Sequence, residues 1–121
     1  MAHWSTKYLS VPYIDMNCSQ FTEHVQREHF GRDFKFPQSE GTFFNQSQQI
    51  RDNVPRFAEK TDDPEDGDLV LMHGRRMMCH VGVFVKINKI PYVLHCEASY
   101  SCSAIHKFSE IKAYGFTIEG V

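Results

Sequence analysis

The sequence predicts an α+β domain, with one amphipathic helix preceding a set of antiparallel strands. Cys18, Phe21 and Val25 recur at helical spacing and His29 continues the stripe, while Glu23 and Arg27 form an i,i+4 pair on another face. Gly31 supplies the stop signal. Four later runs, 69–72, 80–85, 91–97 and 115–119, are short and rich in branched and aromatic residues, as strands are. The second and third of these are joined by 86–90 with Asn88-Lys89 at the tip, which makes them a hairpin. A helix followed by antiparallel strands gives segregated layers.

The remaining elements follow in chain order. Val11-Pro12-Tyr13 reads as an extended segment leading to a turn. The stretch 32–45 holds Pro37 and Gly41 among aromatics and is expected to be an irregular loop packed by Phe34, Phe36, Phe43 and Phe44. A shorter second helix is expected over 47–54, ended or bent at Pro55. The acidic run 61–68 is a surface turn that feeds the first strand, and its spacing does not match a calcium loop. No repeat, linker or low-complexity segment divides the chain, so residues 1–121 form a single domain, long enough to bury a core without covalent staples.

Charge excludes one class of function. Thirteen Lys and Arg stand against fifteen Asp and Glu, for a formal net charge of −2, and no basic cluster extends beyond Gly74-Arg75-Arg76. Nucleic-acid binding has no electrostatic support. No apolar run reaches the length of a membrane span, and the N-terminus lacks a signal-peptide pattern, so membrane insertion is not expected and synthesis in a cytoplasm is. The four cysteines, 18, 79, 96 and 102, contain no C-x-x-C pair and are expected as free thiols.

Cys18, His80 and His95 carry the candidate chemistry. Cys18 lies in Asn17-Cys18-Ser19-Gln20-Phe21 at the start of the first helix; His80 opens one strand of the hairpin and His95 lies in the other. A thiolate, an imidazole base and a group that orients the base are the parts covalent acyl transfer needs. A hairpin centred on Asn88-Lys89 opposes residues whose numbers sum to 177, placing His95 across from Gly82 and His80 across from Glu97. Both histidines then point to one side as diagonal neighbours about 7–8 Å apart at the backbone. A slip of one residue would send the rings to opposite faces. The same alternation sends Cys79 and Cys96 to the other face, which argues against one Cys/His metal cluster; no metal and no cofactor is expected. His73, Cys79, Cys102 and His106 read as structural or surface groups, since one Cys102/His106 pair at helical spacing is a weak metal signal.

The order of Cys18 at a helix start, Gly67-Asp68-Leu69-Val70, His80-Val81-Gly82-Val83-Phe84 and Leu94-His95 resembles the NlpC-type papain-like cysteine peptidases, in particular the compact versions of phage tails. The likeness runs from about Tyr13 to about Glu119. It implies a papain-like NlpC fold in which the nucleophile helix packs on an antiparallel sheet, with Cys18 as nucleophile, His80 as base and His95 as orienter. It also implies Tyr13 and Ser19 beside the substrate. The implied activity is hydrolysis of peptide bonds in peptidoglycan stem peptides at the cell wall, with phage tail-tip proteins as partners and the virion tail as location. The alternative is a structural tail-tip component of the same fold with little or no catalysis. Where the family usually reads D-C-S-G, this chain has Asn17-Cys18-Ser19-Gln20.

Overall fold

A computed structural model describes residues 3–13, 16–33, 50, 63–74, 79–97 and 102–120. The elements in order are a 3-10 helix η1 (Trp4–Tyr8), helix α1 (Cys18–Phe30), strands β1 (Leu69–His73), β2 (Cys79–Ile87), β3 (Ile90–Glu97) and β4 (Cys102–Lys107), a second 3-10 helix η2 (Phe108–Tyr114) and strand β5 (Thr117–Gly120). The chain is therefore α+β. Its five strands form one antiparallel sheet in the order β4-β3-β2-β1-β5. The expected loop over 32–45 falls almost wholly outside the described residues, as does the helix over 47–54, from which only Ile50 is described, helical and buried.

Helix α1 is fixed at both ends by its own sequence. Asn17 accepts from the N–H of Gln20 at 3.0 Å, and the side chain of Gln20 accepts from the N–H of Asn17 at 3.0 Å, a reciprocal capping box. Gly31 ends the helix in the left-handed conformation at φ 65°. The apolar stripe lands on the sheet: Phe21 and Val25 pack with Tyr8, Val83, Val85, Leu94 and Cys96.

The hairpin has the register the sequence predicts. Val83 pairs with Leu94 and Phe84 with Val93, down to Ile87 with Ile90. Asn88 and Lys89 both take positive φ, 52° and 66°, as a two-residue turn matched to strand twist requires. Alternation along the strands then separates two cores. Leu69, Leu71, Val81, Val83, Val85 and Leu94 face α1, and Val70, Met72, Phe84 and Val93 face the other way, against Ile111 and Phe116.

Two departures from expectation concern the C-terminal third. Residues 102–107 form β4, on the outside of β3, where the sequence offered helical spacing. Its outer edge is occupied by the N-terminal segment: Ser103 donates its N–H to Val11 and accepts the N–H of Ser10, and Pro12 bridges Cys102. The last strand begins at Thr117 rather than at 115, because Gly115 is the cap of η2. Since β4 and β5 are opposite edges of the sheet, the η2 segment must cross the whole second face between them. Phe108, Ile111 and Phe116 are the side chains it lays down on the way.

Candidate active site

Cys18 is the first residue of α1, and its side chain belongs to a buried cluster with Ile50, Leu69 and Val81. A helix N-terminus favours a thiolate. Burial outweighs that preference here and pushes the Cys18 thiol up to about 12, although the backbone N–H groups of Val81 and Ser19 pull in the opposite direction. Helix α1 also meets β2 through Thr22, whose hydroxyl donates to the Val81 carbonyl at 3.5 Å. Helix α1 thus abuts β2 one residue beyond His80.

His80 and His95 meet as parity requires. Nε2 of His80 lies 2.8 Å from Nδ1 of His95. Gly82 makes room for this, because a Cβ there would stand 2.6 Å from the Val93 side chain and 3.1 Å from Cβ of His95. Phe116 stacks on the His80 ring at 4.6 Å and meets the His95 ring edge-on at 5.6 Å. Burial drives His80 down to about 3. It drives His95 well below 6.5 as well, with His80 and His106 adding to the effect. Both rings are neutral at physiological pH.

The three expected catalytic residues are not equally joined. The two imidazoles share a hydrogen bond, and the Nε2 contact leaves Nδ1 of His80 as the nitrogen for a thiol. The Cys18 sulfur sits on the α1 side against Val81, whereas the His80 ring leaves β2 toward Phe116. The two groups stand as a neutral thiol and a neutral imidazole, with no hydrogen bond between them among the described residues.

Tyr13 is half-buried beside this site and pushed up to about 12, first by burial and then by the fields of Cys18, Glu97 and Cys96. Ser19 is fully buried, and its hydroxyl donates to Oδ1 of Asn17 at 3.0 Å, at the helix cap. The Asn17 and Gln20 that depart from D-C-S-G are the two halves of the capping box. Cys96 lies on the α1 face as expected, its thiol donating to Met16 at 3.2 Å, and burial pushes it up to about 11. The side chain of Cys79 lies outside the described residues. Cys18, Cys96 and Cys102 are free thiols.

One residue of the site escaped the sequence reading. Nδ1 of His106, on β4, lies 2.9 Å from Nε2 of His95, so three imidazoles form one chain. The ring of His106 stacks on Tyr114 at 3.8 Å. The signal was present in the sequence but ambiguous, since a spacing of four places Cys102 and His106 on one side of a helix or of a strand alike. Among the described residues no group of three His, Cys, Asp or Glu is arranged to hold a metal ion, because the rings are engaged with one another. Among them, too, no helix is long and apolar enough to cross a membrane. No family model matches the chain, and neither a curated protein nor a solved structure matches it significantly.

Proposed function

We propose that the chain is a papain-like thiol hydrolase of the NlpC type that cleaves peptide bonds in peptidoglycan stem peptides. The observation that carries this reading is the 2.8 Å contact from Nε2 of His80 to Nδ1 of His95; Cys18, at the N-terminus of α1, stands across β2 from that pair, against Val81. A base held at one nitrogen presents the other in a fixed tautomer. Because thiol and imidazole are both neutral at rest, His80 acts as a general base. It takes the Cys18 proton as the sulfur attacks the amide carbonyl, then returns it to the leaving amine. The N–H groups of Val81 and Ser19 that reach the sulfur are the nearest oxyanion donors. In the acyl-enzyme, His80 activates the water that releases the product.

The test is hydrolysis of purified muropeptides by the wild type and by Cys18→Ala and His95→Ala. Cys18→Ala is expected to abolish turnover and His95→Ala, which leaves the base but not its orienter, to reduce it by no more than the about 10²–10⁴-fold of a general-base contribution. Equal turnover by wild type and Cys18→Ala overturns the reading.

The second reading, a structural component of a phage tail tip with this fold and little catalysis, is favoured by the burial of Cys18, only 7% exposed. A thiol probe at neutral pH separates the two. Rapid labelling of Cys18 that His80→Ala abolishes belongs to the hydrolase, and labelling slower than in the unfolded chain belongs to the structural component.

A further inference from the structure

We propose that His106 is a positioning residue of the His80 site, and that His80, His95 and His106 act as one tautomeric unit. The inference rests on the hydrolase reading for its use, but on geometry alone for its existence. The chain runs from Nε2 of His80 to Nδ1 of His95 at 2.8 Å, and from Nε2 of His95 to Nδ1 of His106 at 2.9 Å. Each of these contacts needs one donor and one acceptor, and a neutral imidazole has one of each. The tautomers are therefore coupled. If His80 carries its proton on Nε2, His95 must accept at Nδ1 and carry its own on Nε2, and His106 accepts in turn. His80 then offers a bare Nδ1, which is the base form.

The coupling gives the charge somewhere to go. When Nδ1 of His80 takes a proton from the thiol, its Nε2 proton passes to Nδ1 of His95. The Nε2 proton of His95 passes to Nδ1 of His106. One proton enters, two shift, and the positive charge ends on His106, which then holds protons on both nitrogens. Protonation of the leaving amine runs the same shifts backward. His106 is the best placed of the three rings to carry charge. It is half-buried where the others are buried, and Tyr114 of η2 stacks on it; burial lowers it too, but Glu110 of η2 pulls the other way. Among the described residues, the groups that face it include His95 from β3 and Glu110 and Tyr114 from η2. His80 and His95 face Phe116 and each other.

The test is ring ¹⁵N NMR of the full chain, read as the tautomer and titration of His80 in wild type, His106→Phe and His106→Gln. Phe keeps the stacking area and removes the acceptor. Gln retains an acceptor for Nε2 of His95 but cannot take up a proton. In His106→Phe the His80 tautomer ratio is expected to change, and the pH at which the His80–His95 pair gains a proton to fall, because the ring that takes up the charge is gone; loss of the His106 field alone would raise it instead and counts against the relay. In His106→Gln the tautomer is expected to stay while the titration still falls. His80 signals that match the wild type in both variants overturn the proposal. Thermal unfolding identifies a variant that fails to fold, and the other then decides. Muropeptide turnover is scored separately: a wild type that hydrolyses nothing, with His80 still responding to His106, removes the hydrolase reading and leaves the relay standing.

Discussion

The two faces of the sheet solve different problems with the same strands. The α1 face is an ordinary apolar core, in which Phe21, Val25, Val83, Val85 and Leu94 are completely buried, and its cysteines behave as small hydrophobic residues with raised thiols. The η2 face is apolar near β1 and β5 but carries three imidazoles across β2, β3 and β4. Buried polar groups are stable only when hydrogen-bonded. The histidines meet that condition by bonding one another, at the cost of resisting charge. Cys18 and His80 therefore sit in environments that both favour the neutral form, one through apolar packing and one through a satisfied polar chain.

If the two faces are independent, damage to one should leave the other intact. Phe21 is fully buried in the α1 core, and Phe21→Ala is expected to destabilise the fold by about 3–5 kcal/mol in urea titrations. The His80–His95 contact, made on the other side, should persist in the folded fraction, so that its ring ¹⁵N signals keep their wild-type positions. Loss of those signals at a pH and temperature where the variant is folded would mean the faces are not separable.

Gly82→Ala strikes the boundary between the faces. The added Cβ would meet the Val93 side chain at 2.6 Å, the Leu94 carbonyl at 2.9 Å and Cβ of His95 at 3.1 Å, and the backbone contact cannot yield cheaply. Overpacking of this kind is expected to cost about 1–3 kcal/mol and to push His95 off His80. A variant with wild-type stability and an intact imidazole contact would show that the hairpin has slack there.

How much of this was legible depended on range. The α1 stripe, the Gly31 stop and the hairpin register are local patterns, so residues within a few positions of one another specified them. The parity that joins His80 to His95 was a consequence of that local register. β4 and η2 were not legible, because the pairing of Cys102–Lys107 is decided by β3 and by the Ser10–Pro12 backbone some ninety residues earlier in the chain. His106 was lost with them. Asp66 was undervalued for the same reason: its carboxylate accepts from Trp4 at 3.1 Å and from the Lys86 N–H at 2.7 Å, which no reading of an acidic turn in isolation would supply. The placement of Cys18 beside Val81 depends on how a helix docks, which its own stripe does not determine.

Acid should separate the faces without mutation. His80 and His95 are held below their ordinary value of 6.5 in the fold, whereas the unfolded chain titrates near it. Below that pH the unfolded state binds protons that the native state refuses, so stability is complete above 6.5 and falls as pH drops toward the folded values. The expected loss is about 1 kcal/mol per buried histidine between pH 6.5 and 5.5, approaching about 1.4 kcal/mol per unit below that. On the alkaline side the sign reverses. Cys18 is raised from 9.0 to about 12, so its contribution is complete below 9 and is lost as pH rises beyond it. Urea midpoints measured from pH 4 to 10 should trace both limbs, His95→Gln flattening only the acid one and Cys18→Ala only the alkaline one. A profile unchanged by either substitution would mean these groups titrate normally.

The smallest expected effect addresses the Asn17 and Gln20 that depart from the D-C-S-G pattern. The two residues satisfy each other's backbone N–H groups, so their replacements should not be additive. Asn17→Ala removes the acceptor for the Gln20 N–H and is expected to cost about 1 kcal/mol. Gln20→Gly removes the return bond and introduces a helix-interior glycine, for a similar loss. The double variant Asn17→Asp/Gln20→Gly installs a D-C-S-G sequence while keeping a strong cap. It should recover part of the stability and, if the capping box is what seals Cys18 in, raise the labelling rate of its thiol. Recovery of stability with no change in labelling would assign the burial of Cys18 to the Ile50, Leu69 and Val81 cluster instead of the helix cap.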